Sequence, residues 1–304
     1  MKLYFAPLEG VTTPVYRNTH IEMFDFCDGY YAPFITPGEE DKMTRKLFKE
    51  VLPENNPNLK VQVLTNSSKA FLNFGKKLKE IGYDEVNINL GCPSGTVVKK
   101  NKGSAFLRDT NALDNFFYEI FDKSNLKISV KTRTGFSSHD EIEELMEVYN
   151  KYPLELLIVH PRTREEYYKG SANTDVFEKV YKCSKNKLCY NGDIFTIDDY
   201  NKIITRFPNL DSIMIGRGAI KNPALFREIK GGSSPNKKDL LDFAQNLSTN
   251  YKEVLGSDTY VLHKLKEIWV YMIENFPEEK KVKKALHKAT KLTDFENAIK
   301  LLNT

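Results

Sequence analysis

The sequence predicts an α/β protein, a (β/α)8 TIM barrel followed by a small all-helical C-terminal domain, on three observations. Across residues 1–230, β-rich runs alternate with amphipathic, helix-like runs, and eight strands each followed by a helix are what such a barrel requires. Polar or glycine-rich breaks ("APLEG", "VQVLT", "NLGCP", "VKTRTG", "VHPRT", "YNGD", "IGRGA") each fall at the carboxyl end of a different β-rich run. From residue 237 the strand pattern gives way to helical periodicity. A doubly wound open sheet is the alternative arrangement of the same alternation.

The strand candidates in order are 2–9 (KLYFAPLE), 29–35 (GYYAPFI), 60–65 (KVQVLT), 85–91 (EVNINLG), 127–133 (KISVKTR), 154–162 (LELLIVHPR), 188–194 (LCYNGDI) and 212–218 (SIMIGRG). Between them, 68–82, 111–124 and 138–152 are amphipathic and open on Ser or Asn, as helices often do. "GGSSPNKK" (231–238) reads as a linker. Beyond it, 237–255, 259–276 and 278–292 read as helices. Two domains are therefore expected, a catalytic barrel over 1–230 and a helical domain over 237–304.

The chain has 304 residues with 40% hydrophobic content, enough for a sizeable core. A net charge of +4 permits a polyanionic partner without demonstrating one. Cys27, Cys92, Cys183 and Cys189 are scattered, with neither metal-knuckle spacing nor a disulfide framework, so no metal is expected and a reducing setting fits. The opening "MKLYFAPLEG" is too short an apolar run for a signal peptide, and no stretch approaches a membrane span. A cytoplasmic protein, taken as a monomer, is the expectation.

In a barrel the carboxyl ends of the strands converge on the face where active sites are built. Gln62, Asn89, Cys92, Lys131, Arg133, His160, Arg162, Asn191, Asp193 and Arg217 should therefore crowd one opening. A strand-end Lys or His taken alone is more often a surface or capping group, and Cys92 alone is as readily a small buried hydrophobe. Their joint placement argues for a site. "NGD" and "GRGA" occupy the loops that commonly form a barrel's phosphate site, where glycines admit backbone N–H groups to the oxygens. Gln62 and Lys131 are placed to address the edge of a planar ring, and a lysine beside the pyrimidine side of a flavin would stabilise its anionic reduced form.

The segments "APLEGVTTPVYR", "VQVLT", "NINLGCPSGTVVKKNKGSAFLRD", "VKTRTGF", "VHPRTR", "YNGDI" and "IGRGAIKNPALF", in that order, resemble the flavin-dependent tRNA-dihydrouridine synthases. The resemblance covers most of residues 1–230, and the Asn-x-Gly-Cys-Pro block is its most specific part. It implies an FMN-bearing barrel with a C-terminal helical domain that reduces uridine in tRNA with NADPH as electron source. It also implies flavin contacts from Pro7, Leu8, Glu9, Gln62, Lys131, His160, Asn191, Gly192, Asp193, Gly216 and Arg217. Cys92 falls on the proton donor and Asn89 on a base-contacting position, with Arg133 and Arg162 as further substrate-side candidates. Leu8-Glu9, Pro161 and the lack of a Pro-Lys pair after Cys92 depart from the family pattern and bear on subgroup and target site.

Reducing the C5=C6 bond of uracil needs a hydride at one carbon and a proton at the other. A thiol with an ordinary pKa of roughly 8.5 is mostly protonated at neutral pH yet able to release its proton, which suits Cys92 as the acid. A stacked uridine must be flipped out, and cations around the mouth would offset that cost. Lys99, Lys100, Lys102, Arg162, Arg164 and the helical domain, read as tRNA-binding, are the candidates. Within the helical domain, Lys281, Lys284, Lys288 and Lys291 recur at helical spacing. Two other readings are a flavin barrel acting on a free pyrimidine, like a dihydroorotate dehydrogenase, and an RNA-binding barrel without catalysis.

Overall fold

The computed structural model describes residues 1–24, 26–38, 51–52 and 58–303. The chain forms two compact units: Met1–Pro7, Asp28–Asp193 and Lys202–Ile215 make the first, and Leu8–Cys27, Ile194–Asn201 and Gly216–Thr304 the second.

The first unit is a parallel β-barrel. Its strands are β1 (Lys2–Phe5), β2 (Gly29–Tyr31), β3 (Leu59–Lys60), β4 (Gln62–Val63), β5 (Glu85–Leu90), β6 (Lys127–Gly135), β7 (Leu157–Thr163), β8 (Leu188–Tyr190) and β9 (Ser212–Ile215). They hydrogen-bond in the order β3-β2-β1-β9-β8-β7-β6-β5-β4. Since β3 and β4 are separated only by Val61, the two ends of that order are one run of chain, and the ring closes through it. The eight expected strands thus appear as eight barrel positions, one of them interrupted. All pairings are parallel, with Gln62 opposite Asn87, Asn89 opposite Lys131, and Arg133 opposite His160.

The crossover helices follow from their apolar spacing. Helix Ser68–Glu80 buries Ala70, Phe71, Phe74 and Leu78, a stripe at steps of three and four. Helix Thr110–Lys123 buries Leu113, Phe116, Phe117 and Ile120, and Phe71 meets Phe116 edge-on with ring centroids 6.1 Å apart. The caps lie upstream of the residues expected. Ser67 accepts from Ala70 N and Asp109 from Ala112 N, since a cap precedes the first helical residue. Helix Glu141–Tyr149, by contrast, starts later than expected, after Asp140.

The second unit is helical. Helix Lys237–Leu255 has the span expected and opens on a capping box between Asn236 and Asp239. It ends at Gly256, whose φ of +60° is the left-handed conformation glycine tolerates. Its Phe243 packs edge-on against Phe24 and Tyr16 of helix Pro14–Phe24, at 5.3 and 5.6 Å. The first helix of the chain therefore shares a core with the C-terminal ones. The 278–292 run is not one helix: Lys280–Lys288 ends, and Leu292–Lys300 begins after Lys291. Lys266 Nζ donates to the carbonyls of His287 and Ala289 at 3.0 and 2.7 Å, taking orphan acceptors at the break. Lys281, Lys284 and Lys288 share one exposed helix, and Lys291 does not belong to it.

Candidate active site

In the first unit, side chains of β3 to β6 are joined by a network of hydrogen bonds that ends on the Glu85 carboxylate. Lys60 Nζ donates to Glu85 (2.6 Å), Ser129 Oγ donates to Glu85 (2.9 Å) and Asn87 Nδ2 donates to Ser129 (3.0 Å). Gln62 Nε2 then donates to Asn87 Oδ1, and Asn89 Nδ2 to Gln62 Oε1, each at 2.7 Å. Gln62 is 0% exposed, so in this structure it braces the two asparagines from within the wall. Asn87 was not among the expected residues. Its signal was present in the sequence, a second asparagine two positions before Asn89 on the same face of a strand.

Asn89 also shapes the loop that carries Cys92. Its Oδ1 accepts from Gly91 N (3.0 Å) and Cys92 N (2.9 Å), an Asx turn at the end of β5. From the other side, Ser104 binds the Cys92 carbonyl through both its N–H (3.2 Å) and its Oγ (2.8 Å). Gly103, at φ +59°, lies so close that a Cβ there would sit 2.9 Å from that carbonyl. "KGSA" is thus the outer half of the Cys92 clamp. The thiol is half-buried, and all four cysteines are reduced.

Lys131 stands opposite Asn89 across the ladder. Burial, and then the neighbouring Arg133 cation, push its pKa down to about 8. It makes no hydrogen bond or ion pair among the described residues, so a desolvated cation stands uncompensated. Arg133 is otherwise employed. Its Nε donates to Gly91 O (2.8 Å), and its Nη1 to the carbonyls of Thr163 (2.8 Å) and Tyr167 (2.9 Å). At 1% exposure it is a clamp between the Cys92 loop and the loop after β7.

Arg162, also 1% exposed, uses all five N–H donors within the protein. Nε donates to Lys169 O (3.2 Å), Nη1 to His160 Nε2 (3.1 Å) and Asp193 Oδ1 (3.0 Å), and Nη2 to Gly170 O (2.6 Å) and Asp193 Oδ2 (2.5 Å). None is left for a ligand. Because arginine only donates, His160 Nε2 must accept, which places the ring proton on Nδ1. Asp193 accepts further from Ala172 N (3.0 Å). Arg162 and Asp193, expected on the substrate and cofactor sides respectively, form one fork-to-fork pair that orients His160.

Asn191 Nδ2 donates to Met214 O (2.8 Å), tying the end of β8 to β9. At Gly192 any Cβ would meet the Tyr190 hydroxyl at 2.0 Å, so only glycine fits, and its N–H donates to no atom of the described residues. Pro7 ends the β1 segment of this unit, half-buried.

Leu8, Glu9, Gly216 and Arg217 belong to the second unit. There Leu8 N donates to Thr12 Oγ1 (2.9 Å), and Leu8 O accepts from Val11 N and Thr12 N, closing a tight turn with Glu9 exposed at its tip. Lys264 Nζ donates to Gly10 O (2.7 Å), a support unforeseen from the sequence because it comes from 254 residues away. The Arg217 guanidinium lies 5.6 Å from the Phe195 ring centroid. At Gly218 a Cβ would fall 1.9 Å from Ile194 O, which explains the second glycine of "GRG".

The sequence model of one family, described as Dihydrouridine synthase (Dus), matches residues 4–303. The chain belongs to the dihydrouridine synthase family. At that level it is a flavin-dependent barrel oxidoreductase. Among its relatives, a tRNA-dihydrouridine(16) synthase of Shewanella oneidensis is 27% identical over 290 residues, 91% of this chain and 90% of that protein. One of Aquipseudomonas alcaligenes is 24% identical over 299 residues, 91% and 92% of the two chains. A tRNA-dihydrouridine(47) synthase [NAD(P)(+)]-like protein of Arabidopsis thaliana is 33% identical over 158 residues, half of this chain but only 22% of that protein. Among solved structures, histamine dehydrogenase from Rhizobium sp. 4-9 superposes at a TM-score of 0.57 with 12% identity, over 82% of this chain and 49% of that one. Morphinone reductase does so at 0.51 with 12% identity, over 78% and 87%. These two likenesses concern the fold.

Within the family block, the half of the Cys92 clamp formed by Gly103 and Ser104 lies 11 and 12 residues after the cysteine. That spacing is visible in the sequence, whereas the contact is not. Among the described residues no group of three or more His, Cys, Asp or Glu is arranged to hold a metal ion, and no helix is long and apolar enough to cross a membrane.

Proposed function

We propose that this protein is a tRNA-dihydrouridine synthase acting in the cytoplasm. It would reduce the C5=C6 bond of particular uridines in tRNA, with FMN as its resident cofactor and NADPH as the electron source. The observation that carries the reading is the Cys92 loop, held rigidly by Asn89 and Ser104, one strand away from the uncompensated Lys131 cation.

The residues present fit a flavin phosphate and ring on two points. Lys131 is a partly enclosed cation without an anionic partner, and Gly192 offers an unused main-chain N–H beside a position where no side chain fits. Lys131, His160, Asn191, Gly192 and Pro7 are proposed to touch the cofactor, with Gln62 and Asp193 bracing them. Leu8, Glu9, Gly216 and Arg217 are proposed cofactor residues on the sequence resemblance. Bound FMN, once reduced, supplies the hydride.

The chain's own residues do the rest. Cys92 is proposed to give its thiol proton to the carbon opposite the one that receives hydride. Asn89 fixes the Cys92 main chain and is proposed to meet the uracil as well, having one amide N–H not spent on Gln62. Arg133 holds the Cys92 loop through Gly91 O, and Arg162 holds His160, so both are proposed as positioning residues behind the substrate. The helical segment 237–304 is proposed to hold tRNA.

The test is purification of the native protein and assay of flavin and dihydrouridine. A yellow protein with one non-covalent FMN per chain, forming dihydrouridine in tRNA with NADPH, is expected. A protein without flavin whose apo form takes up no FMN overturns the reading.

A further inference from the structure

In the first unit, residues 135–137 after β6 run beside the turn that follows β7. Arg164 N donates to Gly135 O (3.0 Å) and Glu165 N to Phe136 O (3.2 Å). That register brings the Arg164 guanidinium to 5.4 Å from the Phe136 ring centroid and 4.9 Å from that of Tyr167. Arg108 places a second guanidinium 4.8 Å from Phe136. Tyr167 adopts φ +52°, a left-handed conformation rare for a bulky residue. Its carbonyl is held there by Arg133 Nη1 (2.9 Å), which fixes the main chain that carries the ring.

The Arg164 side chain makes no hydrogen bond or ion pair among the described residues, although Glu165 and Glu166 follow it directly. Its Nε is buried and unsatisfied. The nearby acids are committed elsewhere. Glu165 accepts from Ser137 Oγ (3.2 Å), while Glu166 accepts from Thr163 N (2.5 Å) and faces His139 Nε2 (3.4 Å). Glu141 accepts from the main-chain N–H groups of Phe136, Ser137 and Ser138. What Arg164 has left is the Nη edge of a planar fork, backed by two aromatic rings. Two parallel N–H donors in a plane match two oxygens of one phosphate, a match an ammonium cannot make.

We propose that Arg164, stacked on Phe136 and Tyr167 and seconded by Arg108, binds a phosphodiester of the RNA strand that carries the target uridine. This rests on the proposed function and names a contact within it. A phosphate contact anchors the strand while leaving its bases unread, and it lowers affinity uniformly when lost.

The test measures the Kd of unmodified tRNA against salt for the wild-type holoenzyme, Arg164→Gln and Arg164→Lys, with FMN content and melting temperature as checks of folding. Arg164→Gln should weaken binding about tenfold and make the plot of log K against log salt shallower by about one unit. Arg164→Lys should restore the slope but only part of the affinity. If Arg164→Gln loses its flavin or melts early, Arg164→Lys decides alone: its affinity must fall at an unchanged slope. Wild-type affinity and slope in both variants overturn the proposal. So does a loss that vanishes when the nucleotides beside the target are exchanged, because the arginine would then be reading a base. Wild-type protein that binds no tRNA overturns the proposed function itself.

Discussion

Lys131 gives the sharpest pH prediction. Its ammonium is desolvated by the barrel and faces Arg133, which together lower its pKa from 10.5 to about 8. That drop is worth on the order of 3 kcal/mol between the protonated folded and unfolded states, an upper figure because the side chain is only half-buried. The sign follows from proton counts. Between pH 8 and 10.5 the unfolded chain holds a proton at this lysine that the folded chain has released, so the FMN-free protein gains stability as pH rises through that window. Below pH 8 the folded protein carries a costly cation. An anionic ligand that compensates it raises the pKa, and its binding must then weaken as pH climbs past 8, by up to about tenfold per pH unit. The assay is FMN affinity by fluorescence quenching from pH 6.5 to 9.5, in wild type and in Lys131→Met. The difference between the two should be largest at low pH and shrink above 8, with the methionine apoprotein the more stable at neutral pH. A wild-type affinity that parallels the variant at every pH would refute the assignment of Lys131 to the cofactor.

Three further outcomes are expected. Cys92→Ala should keep FMN and its reduction by NADPH while losing most uridine reduction, and a wild-type rate on tRNA would remove Cys92 from the proton-donor role. Asp193→Asn leaves the buried Arg162 cation without its carboxylate, which should cost about 3 kcal/mol in urea unfolding at pH 7; a loss under about 1 kcal/mol would mean that the pair is dispensable. Replacing Lys281, Lys284 and Lys288 together with Gln should weaken tRNA binding and flatten its salt dependence without changing FMN content, and an unchanged salt slope would place the RNA off this helix.

The barrel was legible because its signals are local. Alternation sets the strands, the apolar stripe sets the helices, and the polar breaks mark one end of seven of the eight strands. The limits of the reading are equally physical. Strand 154–162 is regular only from Leu157, and its expected first residue is outside the ladder, with Leu154 N held by the Asn186 side chain (3.0 Å), a partner 32 residues away. The 278–292 helix breaks without Gly or Pro, since its terminal carbonyls are satisfied by Lys266 from another helix. No window of local sequence contains either cause.

The same divide runs through the candidate site and decides what each residue is free to do. In the structure Asn89 holds the Cys92 loop, Lys131 stands opposite Asn89, and Arg162 joins His160 to Asp193, whereas residue type alone assigns every arginine a ligand. Counting donors changes that. Arg162 has five and spends five, Arg133 spends three on main-chain carbonyls, and Lys131 spends none. A cation that the fold has already neutralised or bonded gains little from a ligand, whereas one held desolvated and alone gains the most. By that measure two anion-seeking groups among the described residues of the first unit are Lys131 beside the Cys92 loop and Arg164 on its two rings. One suits a cofactor edge and the other a phosphate, and substituting them should separate flavin affinity from RNA affinity in a single protein.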